Sequence, residues 1–178
     1  MIAAFHRDAA MTAAILGFFA MAWFGWAQEH PPPRWTTWLR VGAASALLTV
    51  VMAAVLARRL WHSGTALDAG TARTFGIIVG VEFGLAGIGA ALLTRRNRKE
   101  LVPVWIALVV GVHLFPLAPL LRCPLLYAVA ALVTVAALVA VSIARRRSLP
   151  VSAVNGLGVG VVLHVAAVVS LVDAFARL

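Results

Sequence analysis

The sequence predicts an all-α, polytopic integral membrane protein: a bundle of six transmembrane helices arranged as three helical hairpins. Of its 178 residues, 63% are hydrophobic and 12% are charged, whereas soluble domains carry about 25% charged and 45–50% apolar residues. The apolar residues form runs of about twenty, the length that an α-helix needs to cross the hydrocarbon core. Only short polar connectors separate these runs. We therefore expect a single transmembrane domain over residues 1–178.

Each predicted span ends where polar residues or prolines begin. The spans lie near residues 9–27, 39–57, 74–94, 101–121, 124–144 and 154–174. The longest connector, 58–73, carries the loop signals Ser63-Gly64 and Asp68-Ala69-Gly70. Short connections join antiparallel neighbours, which predicts the three hairpins. In the first span, bulky Trp23 and Phe24 stand where a signal-peptide cleavage site needs small residues, so we expect this span to be retained.

The basic residues lie at the ends of the apolar runs, as at 58–59, 95–99 and 145–147, and the formal net charge is +9. Such positions favour lipid head groups, so the expected partner is the lipid bilayer and not a nucleic acid. Nearly all of these residues are arginine, a coding bias typical of GC-rich bacteria. The predicted location is the cytoplasmic membrane of a bacterium. The lone Cys123 excludes an internal disulfide and any CxxC motif.

Glu82 lies deep in the third apolar run, and an ionisable group at such depth is a functional-site hypothesis. At 1.5 Å per residue, Glu82 is about 12 Å from the start of its span, and His113 is about 12 Å from the end of the fourth. His164 is about 15 Å from the end of the sixth. Because the chain alternates direction, the three residues lie at similar depth. Thr49 and Thr134 fall at comparable depth, which completes a predicted polar layer.

Glycines recur every four residues in the third span, at Gly76, Gly80 and Gly84. Such a stripe lets helix backbones approach each other. Glu82 is about 200° around the helix from Gly80, so the acid faces nearly the opposite way. We expect the glycines to pack against another helix of the chain or against a second subunit, in a homodimer or with a membrane partner.

Two further patterns flank the histidines. Gly156 and Gly160 share a helix flank with His164, which predicts that this histidine faces protein and not lipid. In the fourth span, Pro116 and Pro119 cannot donate backbone hydrogen bonds to carbonyls near His113, so we expect a kink there. Near the C-terminus, Asp173 and Arg177 are four residues apart, a spacing that allows pairing on the last turn.

The favoured function is a small transporter or channel-like protein for a small solute or ion, with protons exchanged between Glu82 and the histidines. One alternative is an intramembrane enzyme with Glu82 as general acid towards a lipid or isoprenoid substrate. The sequence has no HExxH, no GxSxG and no paired acidic motif for a diphosphate. Another alternative is a structural subunit of a membrane complex, in which a protonated Glu82 joins two helices.

No cofactor is expected. Two less favoured alternatives stay open, each using the predicted layer. Glu82, His113 and His164 together would offer a divalent transition metal two imidazoles and a carboxylate. His113 and His164 alone would offer a haem two axial ligands.

Overall fold

Residues 2–176 are described by a computed structural model, in which they form six long α-helices. Each helix is long and apolar enough to cross a membrane. The helices are α1 (His6–Trp26), α2 (Thr36–Arg59), α3 (Ala69–Arg95), α4 (Val102–Leu120), α5 (Leu125–Arg147) and α6 (Val151–Phe175). The predicted all-α fold is confirmed, and the chain is a multi-pass membrane protein. Arg177 lies outside the described residues, and so does its predicted pairing with Asp173.

The third helix starts earlier than predicted, at Ala69 and not near residue 74. Asp68 is the reason: its Oδ1 accepts a hydrogen bond of 2.7 Å from the Thr71 N–H and so caps the helix. This hydrogen bond also holds the pKa of Asp68 below its ordinary value. The cap makes α3 27 residues long and places Glu82 at its midpoint.

The helices pack in the order α2–α1–α6–α5–α4–α3, and α6 is the central helix, in contact with α1, α2, α4 and α5. The two helices of each predicted hairpin are in contact. Among residues 2–176, α4 is the one long helix that α3 contacts, and no residue of α3 is fully buried. The helix that carries the deep acid therefore lies at the edge of the bundle.

The central α1–α6 contact depends on small residues of α6. A Cβ added at Gly156 would lie 2.8 Å from the Trp23 carbonyl oxygen, and one at Gly160 would lie 2.9 Å from a ring carbon of Phe24. These distances are shorter than real Cβ contacts, so only glycine allows this separation of the helices.

The glycine stripe of α3 is arranged differently from the expectation. A Cβ added at Gly76, Gly80 or Gly84 would meet nothing within 4 Å in the described chain. The expected contact within the chain is therefore wrong for residues 2–176, because Glu82 turns the opposite face of α3 towards α4. Contact with a second subunit stays a prediction. The close approach to α4 occurs instead at Gly89, over which the Trp105 indole packs.

Polar contacts hold the ends of the bundle. Both oxygens of Asp8 accept hydrogen bonds from the long connector, 2.8 Å from the Thr65 hydroxyl and 2.7 Å from the Ala66 N–H.

The side chains of Asn155 and Cys123 are buried elsewhere in the structure. The fully buried Asn155 donates to the Pro103 carbonyl over 3.1 Å and links α6 to the start of α4. Cys123 lies buried in the turn before α5, and this burial raises the pKa of its thiol.

Replacing Gly156 by alanine should lower the free energy of unfolding by about 1–3 kcal/mol, because the added methyl group overpacks the α1–α6 contact. Gly158→Ala is the matched control on the same helix, since its Cβ would lie at an ordinary 3.6 Å from Ala136. Unfolding in mixed micelles measures both variants. Equal stability of the two would contradict the close α1–α6 contact.

Candidate functional site

Glu82 lies 13 residues from either end of α3, which runs from Ala69 to Arg95. At 1.5 Å per residue, this is about 20 Å of helix in each direction. No other aspartate or glutamate of the sequence lies at the middle of an apolar run. The acid is therefore far from both membrane surfaces.

Glu82 is paired with His113 of α4. The Glu82 Oε2 atom lies 3.2 Å from the His113 Nε2 atom, and the two side chains are 13% and 14% exposed, respectively. The two predicted site residues on neighbouring helices are thus in direct contact, and their hydrogen bond is part of the α3–α4 contact.

The other ring nitrogen of His113 determines how the pair is protonated. His113 Nδ1 lies 2.7 Å from the Val110 carbonyl oxygen, one turn back on α4. A carbonyl oxygen only accepts hydrogen bonds, so Nδ1 carries a hydrogen. In the neutral ring Nε2 then has a lone pair, and Glu82 must donate to it. The contact between Oε2 and Nε2 therefore contains a single proton.

That proton has two positions. On Glu82, it gives a neutral carboxylic acid beside a neutral imidazole; on His113, it gives a carboxylate beside an imidazolium. The net charge of the pair is zero in both cases, which limits the cost of placing it in hydrocarbon. Removing the proton leaves a net charge of −1, and the Glu82 carboxylate then faces the lone pair of His113 Nε2.

The second oxygen of Glu82 is available. Within residues 2–176, Glu82 Oε1 has no hydrogen-bond partner. It is an acceptor in both proton positions, as the carbonyl oxygen of the acid or as a carboxylate oxygen. The pair therefore offers one hydrogen-bond acceptor to whatever approaches it.

A cavity of about 160 Å³ adjoins the pair. Side chains of α1, α3 and α4 form its walls, and α5 and α6 each contribute one leucine, Leu126 and Leu163. Apart from Glu82, His113 and Thr12, every lining side chain is apolar. On the other side of the α3–α4 contact, Glu82 and His113 also line a second, more open groove beside Trp105. The pair thus separates two apolar spaces.

His164 does not join the pair. Its Nε2 lies 3.1 Å from the Ser45 hydroxyl of α2, and it packs edge-on to the Phe24 ring at 6.2 Å. The Ser45 hydroxyl gives its hydrogen to the Gly42 carbonyl over 2.9 Å, so His164 Nε2 must donate to it. His164 faces protein, as its glycine flank predicts, but the three-residue layer with Glu82 and His113 is wrong.

The two threonines of the predicted layer also do not contact Glu82. Thr49 donates to the Ser45 carbonyl over 3.0 Å and Thr134 to the Ala130 carbonyl over 2.8 Å, each one turn back on its own helix. Thr134 packs against Gly111 at the α4–α5 contact. Equal depth did not bring these side chains to Glu82, because they lie on different sides of their helices.

The less favoured metal and haem arrangements are not assembled within residues 2–176. Among the described residues, no three His, Cys, Asp or Glu side chains come together. His164 contacts Ser45, and both ring nitrogens of His113 are engaged.

The prolines of α4 do not end the helix, which continues through Pro116 and Pro119. His113 bonds the Val110 carbonyl, which is not one of the carbonyls freed by a proline.

Sequence reasoning missed Ser45, Trp105 and the Val110 carbonyl. Trp105 lies near the start of α4, and its indole N–H donates to the Leu85 carbonyl of α3 over 3.0 Å. Gly89, four residues after Leu85, was the available signal, because a glycine on the acid-bearing side of α3 allows a large ring to approach.

No protein-family model, curated protein or solved structure matches this chain.

Opposite tautomers are expected for the two intramembrane histidines. His113 should carry hydrogen on Nδ1, and His164 should carry it on Nε2. NMR of isotope-labelled histidine distinguishes these forms, with His113→Gln and His164→Gln used for assignment. A His113 ring protonated on Nε2 alone would contradict the single-proton pair.

Proposed function

We propose that this protein is a proton-coupled membrane transporter in which the Glu82–His113 pair carries the proton. The observation that supports this is the 3.2 Å contact between Glu82 Oε2 and His113 Nε2, with His113 Nδ1 committed to Val110. A pair with one proton and two positions for it is suited to accept and release protons in the membrane interior.

The cavity supplies the second requirement of a transporter, a place for a solute beside the proton. A solute that contacts Glu82 Oε1 competes for the same carboxyl group that holds the proton through Oε2. Its arrival therefore changes the affinity of the pair for the proton, and protonation changes the affinity for the solute by the same factor. This reciprocity is the physical basis of coupled transport.

The edge position of α3 favours movement at this site. Within residues 2–176, α3 is held by α4 and the short turn before it, and its outward face has no protein neighbour. A helix with few buried contacts can shift at a low free-energy cost. The two apolar spaces on either side of the pair would then connect alternately with the acid.

An intramembrane enzyme is the second candidate, favoured by the apolar cavity beside an acid. Glu82 would donate the shared proton to a lipid or isoprenoid substrate, and His113 Nε2, which then has a free lone pair, would accept a proton from the substrate and so restore the pair. Among the residues that line the cavity, Glu82 is the one carboxylate, so a magnesium–diphosphate substrate has no acidic pair to bind it. Release of a chemically altered lipid by the purified protein would favour this candidate over transport.

In the structural-subunit alternative, the pair only joins α3 to α4. Transport predicts that proton exchange, and not the hydrogen bond alone, is required. Glu82→Gln separates the two, because a glutamine amide N–H can still donate to His113 Nε2 but has no exchangeable acid proton.

Stability should therefore depend on the hydrogen bond and not on the acid. Glu82→Gln should change the free energy of unfolding by less than about 0.5 kcal/mol. Glu82→Leu, which leaves His113 Nε2 without a partner, should lower it by about 1–2 kcal/mol. Unfolding in mixed micelles measures both variants. A glutamine variant as unstable as the leucine variant would argue against the donor role of Glu82.

Proton flux should require Glu82. Liposomes that contain the purified protein and an internal pH indicator are placed in an imposed pH gradient, and the rate at which the gradient decays is measured. Wild type should exceed protein-free liposomes, and Glu82→Gln should fall to their level. His113→Gln should do the same, because it removes the second position of the proton.

Matched controls come from the same chain. Glu100 is an exposed acid in the turn before α4, and His62 is an exposed histidine in the long connector. Glu100→Gln and His62→Gln should leave the flux unchanged. Flux that persists at the wild-type rate in Glu82→Gln would refute proton coupling at this site.

A further inference from the structure

The Glu82–His113 pair restricts the chemistry of its solute. Of the polar atoms of the pair, Glu82 Oε1 is the one without a partner among residues 2–176, and it accepts hydrogen bonds in both proton positions. The complementary group on a ligand must therefore be a donor. Ligands that carry only acceptors, such as ketones, esters and ethers, would place two acceptors in contact.

The charge of the site restricts the class of ligand further. When the shared proton leaves, the site has a net charge of −1 in a low-dielectric environment, and a monovalent cation restores neutrality. The titratable group that faces Glu82 from α4 is His113. The cavity walls from α1, α5 and α6 include Thr12, Leu126 and Leu163, none of which is titratable. Apart from His113, the described lining therefore has no basic side chain to balance the carboxylate.

The size of the cavity limits the apolar part of the ligand. A cavity of about 150 Å³ lined by apolar side chains holds one benzene molecule, and the cavity beside Glu82 is about 160 Å³. Phe19, Phe75 and Phe83 contribute aromatic side chains to its lining. Aromatic faces attract organic cations in addition to packing against apolar groups.

Access to the cavity is lateral. Its lining residues Ile15, Phe19 and Phe83 are 45%, 41% and 64% exposed on the outer surface of the bundle. In the described chain, no Cα atom of α1 lies within 8 Å of a Cα atom of α3, so the two backbones are not packed against each other. The opening between them faces the hydrocarbon of the bilayer, so an amphiphile dissolved in the membrane can reach Glu82 without crossing the bundle.

We infer that the solute is a protonated amine with an apolar body of about one aromatic ring, which enters from the bilayer and replaces the shared proton. This rests on the transport function proposed above. One ammonium enters as one proton leaves the Glu82–His113 pair, so the net charge of the site stays at zero. The ammonium N–H groups bind the Glu82 carboxylate, and the ring occupies the apolar cavity.

Phenethylamine is the probe, titrated calorimetrically into the full-length protein in lipid nanodiscs, with empty nanodiscs as the blank. Its amine stays protonated below about pH 9, as lysine does. Each bound amine should release one proton, measured by repeating the titration in buffers of different ionisation enthalpy. Where the pair holds its proton, the Kd should fall about tenfold per unit rise in pH.

Matched ligands separate charge, donor and apolar packing. Ethylbenzene has the ring without the amine, and the N,N,N-trimethyl derivative of phenethylamine has the charge without an N–H. Both should bind at least about tenfold more weakly than phenethylamine at neutral pH, since each lacks the hydrogen bond to the carboxylate. Equal binding of ethylbenzene would overturn the inference, because the cavity would then select only apolar volume.

Two variants test the acid and the cavity separately. Glu82→Gln should abolish both proton release and the pH dependence of the Kd, whereas Glu100→Gln should preserve them. Val79→Phe keeps the pair and fills the cavity, so it should weaken binding at least about tenfold. Binding of phenethylamine without proton release, or unchanged by Glu82→Gln, would overturn the inference.

The binding experiment and the flux experiment test the amine inference and the transport function separately. Glu82-dependent proton flux without phenethylamine binding would leave transport standing and refute the amine as solute. Proton release on amine binding without any flux would support the amine site and refute transport.

Discussion

Hydrocarbon offers no hydrogen-bond partners, so a hydrogen bond within the protein stabilises a polar group in the spans of this protein. Thr49 and Thr134 bond their own helices, Trp105 bonds the backbone of α3, and His164 meets Ser45. In water, these groups would bond to solvent and exert little influence on packing. In a membrane, they determine which helix faces meet.

The Glu82–His113 pair satisfies this requirement only in part. One carboxyl oxygen is bonded and the other is left at a cavity. Complete satisfaction would tie α3 to α4 and nothing more. On the transport function proposed above, this incomplete arrangement, in a helix with no fully buried residue, would distinguish a site from a simple helix-joining hydrogen bond.

The sequence was sufficient for the number of spans and for placing Glu82 deep within the third, because length and hydropathy are one-dimensional properties. It gave too short a distance from the helix start, about 12 Å against about 20 Å, because the Asp68 cap was not foreseen. It was insufficient for the direction of each side chain around its helix. Depth alone grouped His164 with Glu82, although α6 turns His164 towards α2 and α1. The glycine stripe was correctly placed on the face of α3 opposite Glu82. Which of these two faces packs against protein depends on the neighbouring helices, so the sequence of α3 alone does not determine it.

The gap between α1 and α3 has a consequence for the surroundings of the protein. Because α1 and α3 are not packed against each other in the described chain, acyl chains of neighbouring lipids would form the remaining wall of a cavity that opens between them. The bilayer is then a component of the site and not only its solvent. Chain length and saturation of the lipids become determinants of ligand affinity, in the way that side-chain identity is in a soluble protein.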